Sequence, residues 1–334
     1  MSVPNPLWVR FSSPVKQHGS SDRWHPAEPT VGVASAWKDR CVTARPETSR
    51  TSGVDPLADL LFVLDLEEID TTIFRGHQTE EKRLRTFGGL VAGQALVAAG
   101  RTVPSTLFVH SLHAYFLRPG DPTRPIVYEV DRIRDGRSFA TRRVTAIQHG
   151  EAVFTLSASF HVAEVGVSHQ KLAPTAPDAE ALPSFKERWK HLSESEPGWY
   201  NWPRPIDQRH VDAPSRERVK RDPRQQLWFK TIGALPDDPL LHACVAAYAS
   251  DMSVLDTALL PHAISWDDPG FMGASLDHAM WFHGPFRADE WLLYDQESTV
   301  ASGARGLSRG EMYTRDGRLV VSVVQEGLMR VKQP

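Results

Sequence analysis

Two stretches of the chain carry the same succession of apolar and polar positions. Residues 88–162 run through a helix of small apolar residues, an aromatic strand, a turn and three alternating strands, and residues 240–331 repeat that order. The helices draw on Ala92, Gly93, Ala95, Ala98 and Ala99 in the first copy and on Ala243, Cys244, Ala246, Ala247 and Ala249 in the second. A helix apolar on nearly every side has no face for water, so a sheet must wrap around it. The strands have the period for this: Ile126, Tyr128 and Val130 alternate with Val127, Glu129 and Asp131, and Phe154, Leu156, Ala158 and Phe160 alternate with polar or small residues.

A long antiparallel sheet curved around one helix is the hotdog architecture, and two copies predict an α+β double hotdog. The expected modules are 55–162 and 223–334, the second opening with the strand RQQLWFK at 224–230. Between them, 163–222 is rich in Pro and charge with isolated Trp189, Trp199 and Trp202, and reads as a linker with short helical pieces pinned to its neighbours by those rings. Residues 1–53 lack sustained periodicity and are expected to be a disordered extension. Patterned sequence begins near Val54, where Asp55 and Pro56 start a helix. Translation starting near Val54 is an expectation that intact-mass analysis of the native protein tests.

Comparing the copies exposes candidate chemistry. Matching Val103 to Val254 sets Asp251 over Gly100, and matching the last strands on Gly150 and Gly317 sets Gln325 over Ala158. An amide on an apolar face costs stability unless it is hydrogen-bonded. Asp251 stands at the C-terminal end of its helix, the electrostatically unfavourable end for a carboxylate, where burial and the dipole raise its pKa toward that of a general base. A solvated Asp at a fraying helix end is the bland alternative; the coincidence with Gln325 and Ser275 argues against it. SLHAYF (111–116) runs beside SLDHAMWF (275–282).

Composition narrows the classes. The 334 residues are 41% hydrophobic and 24% charged, as in a soluble globular protein. A net charge of −3 argues against a dedicated nucleic-acid binder. No run is expected to span a membrane. Cys41 and Cys244 form neither a disulfide framework nor a metal-ligand pattern, and a cytoplasmic setting is expected. The segment 1–53 has seven basic against four acidic residues, but Asp22, Glu28, Asp39 and Glu47 weaken a transit-peptide reading. The terminal VKQP is not an SKL-type address.

Over about 55–331 the chain resembles the acyl-CoA thioesterase II family. The resemblance is carried, in order, by FRGHQTEEKRLRTFGGLVAGQALVAA, HSLHAYFLRPGDPTRPIVYEV, RDGRSFATRRV, CVAAYASDMSVL, SLDHAMWFHGPF, EWLLYDQES and VSVVQEGLMR. It implies hydrolysis of fatty acyl-CoA by water without a covalent intermediate or cofactor, and it implies that Asp251, Ser275 and Gln325 act together on that water. Ser stands where the family often has Thr, which frees the hydroxyl rotamer. The resemblance also makes the turn and helix start from Phe87 to Gln94, with Gly88, Gly89 and Gln94, a candidate wall of the acyl pocket, although small residues there serve helix packing equally well. Association into homo-oligomers through exposed sheet edges is expected of hotdog modules.

Other sites read more weakly. GASLD (273–277) lacks the closing Gly of a nucleophile elbow and leads into a strand, which counts against Ser275 as a covalent nucleophile. His110 and His113, or His278 and His283, lack the companion ligands of a metal site and read as structural histidines. Arg305 and Arg309 share one strand face and are candidates for CoA phosphates, or for ordinary ion pairs. Two other classes stay open. A hotdog hydratase or dehydratase would need a His beside an acid, and the adjacent Asp277 and His278 point to opposite faces of a strand. A noncatalytic acyl-CoA sensor would keep the pocket without the polar trio.

Overall fold

The computed structural model describes residues 55–78 and 85–332. The expectations placed on 1–53, on Val54 as a start, on Cys41 and on the last two residues lie outside them. The chain forms helix α1 (Pro56–Leu64), strands β1 (Glu67–Asp70) and β2 (Ile73–Arg75), helix α2 (Gly88–Arg101), and strands β3 (Leu107–Phe116), β4 (Val127–Asp135), β5 (Phe139–Gln148) and β6 (Glu151–Val162). Short helices α3 (Phe185–Arg188) and α4 (Pro197–Tyr200) precede strands β7 (Ile206–His210) and β8 (Arg224–Thr231). Helix α5 (Pro239–Ser250) leads to β9 (Phe271–Ser275), β10 (Asp277–Phe282), β11 (Leu292–Ser302), β12 (Arg305–Thr314) and β13 (Leu319–Val331).

The strands make one antiparallel sheet in the order β1-β2-β4-β5-β6-β3-β10-β13-β12-β11-β8-β7, with β9 added on β13. The two copies meet where β3 pairs with β10, His113 opposite Ala279. This is the α+β double hotdog the periodicity predicts. One addition comes from the segment expected to be a linker: its Ile206–His210 forms β7 and closes the sheet against β8. Trp189 is buried there.

α1 starts where Asp55 accepts the N–H of Leu57 at 3.0 Å, and Asp238 does the same for α5 from Leu240 at 2.9 Å, each with proline as the first helical residue. α2 has no such side-chain cap of its own. The two central helices run antiparallel in contact: a Cβ on Gly93 would lie 3.2 Å from the carbonyl oxygen of Cys244, Gly89 abuts the carbonyl of Tyr248, and Gly100 abuts Leu240. Small residues allow that approach, and every residue from Gly89 to Ala99 is buried. Against expectation, the stretch Pro239–His262 is long and apolar enough to cross a membrane, but its most apolar part is mostly buried inside the fold, where α5 serves as a core helix.

Candidate active site

The second copy holds its polar residues at the end of α5. Ser250 is the last helical residue and Asp251 its C-cap. The carbonyl of Ser250 accepts the Tyr294 hydroxyl at 3.3 Å, which satisfies one of the groups a helix end leaves unpaired. The chain just beyond is pinned by two buried amides: Gln225 Nε2 donates to the Ser253 carbonyl at 2.9 Å and to Gln296 Oε1 at 2.6 Å, and Gln296 Nε2 donates to Ser253 Oγ at 2.8 Å. Asp251 therefore sits on a short segment anchored on both sides.

The structure brings Asp251, Ser275 and Gln325 together. Gln325 Nε2 donates to Asp251 Oδ1 at 2.6 Å and to Ser275 Oγ at 2.9 Å, and Ser275 Oγ donates to Asp251 Oδ1 at 3.3 Å. Gln325 is fully buried on β13, whereas Asp251 and Ser275, the last residue of β9, are only partly covered. Burial raises the Asp251 pKa above the ordinary carboxylate value; the bonds from Gln325, Ser275 and the Gly89 N–H pull against that rise without cancelling it. Gly89 belongs to the first turn of α2, so the carboxylate closing one central helix caps the other.

Behind the trio lies His278. It is completely buried, with Nδ1 2.9 Å from Gln325 Oε1 and Nε2 2.8 Å from Ser250 Oγ. Burial lowers its pKa, partly opposed by the Asp251 charge, so the imidazole is neutral. Asp277 beside it faces away and accepts the backbone N–H of Glu326 at 2.7 Å.

Comparison with known proteins gives the family. Residues 207–328 match the acyl-CoA thioesterase family, and residues 79–161 match the acyl-CoA thioesterase N-terminal domain. Human acyl-coenzyme A thioesterase 8 is 42% identical over an alignment covering 83% of this chain and 92% of that protein. The chain belongs to the acyl-CoA thioesterase family. Acyl-CoA thioesterase 2 of Haemophilus influenzae is 38% identical, covering 84% of this chain and 99% of its own. The crystal structure of the acyl-CoA thioesterase II TesB2 from Mycobacterium marinum is 45% identical with a TM-score of 0.68, covering 82% of this chain and 99% of that one.

The remaining residues singled out in this thioesterase divide. Gly88 and Gly89 adjoin the trio: a Cβ on Gly88 would lie 2.6 Å from Asp251 Oδ2. Gln94 does not, since its amide donates to the carbonyls of Val63 at 2.5 Å and His77 at 3.0 Å and accepts the Tyr128 hydroxyl at 2.6 Å, tying α2 to the strands around it. Arg305 and Arg309 lie on the exposed face of β12, opposite the buried face that carries Ser308, and pair with Glu326 at 2.9 Å and Glu297 at 2.5 Å. His110 and His283 bond Ser159 and Ser322, each at 2.8 Å, and His113 packs edge-on to Trp281.

One residue that sequence reasoning passed over fills the matching place in the first copy. Ser308 pairs with Gln325 across β12 and β13, and Arg142 pairs with Ala158 across β5 and β6, so Arg142 occupies the matching place. It is fully buried. Its Nε donates to Thr102 Oγ1 at 2.8 Å, one terminal nitrogen to the Arg134 and Thr141 carbonyls at 2.9 and 3.0 Å, and the other to the Thr102 carbonyl at 2.9 Å and to Asp135. All its donors are used, and the cation sits against the C-terminus of α2, where the helix favours positive charge. Where the second copy gathers its polar trio, the first is filled by a structural arginine.

Proposed function

We propose that this thioesterase hydrolyses fatty acyl-CoA thioesters by direct attack of water, with Asp251 as general base. Asp251 takes a proton from water as its oxygen adds to the thioester carbonyl carbon; the carbon–sulfur bond then breaks, and the CoA sulfur leaves with the proton returned from Asp251. Gln325 holds Asp251 and Ser275 in place around the water, and the Ser275 hydroxyl turns to the developing oxyanion. The observation that carries this reading is the pair of hydrogen bonds from one buried amide, Gln325, to both Asp251 and Ser275. A carboxylate with a raised pKa suits a base working near neutrality. The missing side chain of Gly88 lets the start of α2 approach Asp251 Oδ2 closely.

Release of free CoA thiol from short, medium and long acyl-CoAs tests the proposal and gives the chain-length preference. Asp251→Asn should lower kcat by roughly 10²–10⁴-fold and Gln325→Ala by about 10²–10³-fold, with folding retained. Acyl-CoA binding without turnover at any chain length would favour a sensor instead. The proposal includes a cytoplasmic setting and association of copies through the open sheet edges at β1 and β7, since unpaired edge strands invite pairing. Fractionation and light scattering measure these two points.

A further inference from the structure

The duplicated sheet contains one more exchange of an apolar for a polar residue. In the first copy Leu112 pairs with Ala158. In the second, Ala279 pairs with Val324, which carries His278 opposite Gln325. His278 thus stands where the first copy has Leu112, as Gln325 stands where it has Ala158. Ser250 follows the same logic, a hydroxyl within a helix otherwise lined with alanine. Burying an imidazole, an amide and a hydroxyl together is costly unless each is satisfied by the others, and here they form one chain.

We propose that His278 is a positioning residue that fixes which end of the Gln325 amide faces Asp251, and that Ser250 selects the tautomer in which it does so. The assignment rests on Asp251, Ser275 and Gln325 being the hydrolytic centre. The two ends of an amide are told apart by their partners. With hydrogen on Nδ1, His278 donates to Gln325 Oε1 at 2.9 Å and leaves both Nε2 hydrogens for Asp251 and Ser275. With hydrogen on Nε2 instead, the bare Nδ1 would draw the amide nitrogen toward itself and turn the amide oxygen against the Asp251 carboxylate. Ser250 Oγ, 2.8 Å from Nε2, decides between the two by giving its single proton to that nitrogen, although the Ala247 carbonyl at 2.9 Å competes for it. Because His278 is walled off from solvent behind Gln325, it acts through the amide and not on the substrate.

The test compares His278→Leu, His278→Asn, Ser250→Ala, Gln325→Ala and the double variant His278→Leu/Gln325→Ala, with kcat and KM from thiol release and folding checked by circular dichroism. Leu removes the donor; the Asn amide nitrogen stands as many bonds from the backbone as Nδ1 and restores it. His278→Leu should lower kcat about 10²-fold, the scale of a misplaced catalytic group, with KM little changed. His278→Asn should recover most of that loss, and His278→Leu should cost nothing further once Gln325 is Ala. Wild-type kcat in His278→Leu, equal losses in Leu and Asn, or losses that multiply in the double variant would each overturn the proposal. If the Leu variant does not fold, ¹⁵N chemical shifts of the imidazole in the intact enzyme decide: a neutral ring protonated on Nδ1, shifting toward the other tautomer in Ser250→Ala, is expected, and a ring protonated on Nε2 overturns it. Full turnover in Gln325→Ala would instead overturn the centre on which the assignment rests.

Discussion

The backbone N–H of Gly89 donates to the carboxylate of Asp251, so the residue that ends α5 caps the start of α2. A carboxylate at a helix C-terminus is disfavoured, but the N-terminus of an antiparallel neighbour supplies the opposite end of a dipole within hydrogen-bonding reach. This lets a raised-pKa acid persist at the end of α5 with no cationic partner among the described residues. It also ties the carboxylate of one copy to the helix of the other.

With Asp251 as the proposed base, the acid limb of kcat/KM should report it. Since burial sets its pKa above the ordinary carboxylate value, activity should fall with decreasing pH at a higher pH than an exposed Asp would give. A pH–rate profile in the wild type checks this. A limb in the ordinary carboxylate range, or one retained in the residual activity of Asp251→Asn, would remove Asp251 as the base.

The same shift has a signature in stability. With its folded pKa above the unfolded one, Asp251 binds its proton more readily in the folded state. Below the unfolded value the group is neutral in both states and costs nothing; as pH rises through the folded value its ionised form destabilises the fold. The stability of Asp251→Asn relative to wild type should therefore increase as pH is raised from acid to neutral. Urea denaturation at several pH values measures the difference, and a difference independent of pH would contradict it.

Gly88 and Gly89 should respond differently to alanine. A methyl on Gly88 would lie 2.6 Å from Asp251 Oδ2 and 2.9 Å from the Phe116 ring, side-chain atoms that can shift. A methyl on Gly89 would meet the backbone carbonyl of Tyr248, which cannot shift without moving α5. Gly88→Ala should thus lose activity with a nearly unchanged thermal midpoint, while Gly89→Ala should lower the midpoint. Melting curves and thiol release on both variants separate the effects; equal midpoints would show that the helices yield.

The fold was readable because its two periods are strong: helices without a polar face demand a sheet around them, and alternating strands supply it. Asp251 and Gln325 stood out because each is polar where its duplicate is small. His278 reads only as a structural histidine because SLHAYF is two residues shorter than SLDHAMWF; the strand register matches them at the phenylalanine end, Phe116 with Phe282, which sets Leu112 against His278. The cap from Gly89 depends on how α2 packs on α5, which no local pattern encodes. β7 was missed since five residues, IDQRH, carry too little alternation to declare a strand. Arg142 lay within a quoted motif, but a charged residue on an alternating strand reads as exposed until the partners that satisfy it are in view.

Arg142 supplies the last prediction, a loss of stability that leaves the chemistry alone. Removing its side chain would leave the carbonyls of Thr102 and Arg134 without their guanidinium donors and open a cavity beside Ala158. Truncating a fully buried, fully bonded cation costs about 3–5 kcal/mol, so Arg142→Ala should shift the urea midpoint sharply downward. Lys should not rescue it: an ammonium has three donors on a flexible stem and cannot reproduce a planar fork bonded to Thr102, Arg134, Thr141 and Asp135 at once. Below the unfolding transition, turnover per folded molecule should stay near wild type, because the proposed hydrolytic residues lie in the other copy. A parallel collapse of kcat at a temperature where the variant is fully folded would mean that the Arg142 plug reaches the centre through α2 and its Gly89 contact with Asp251.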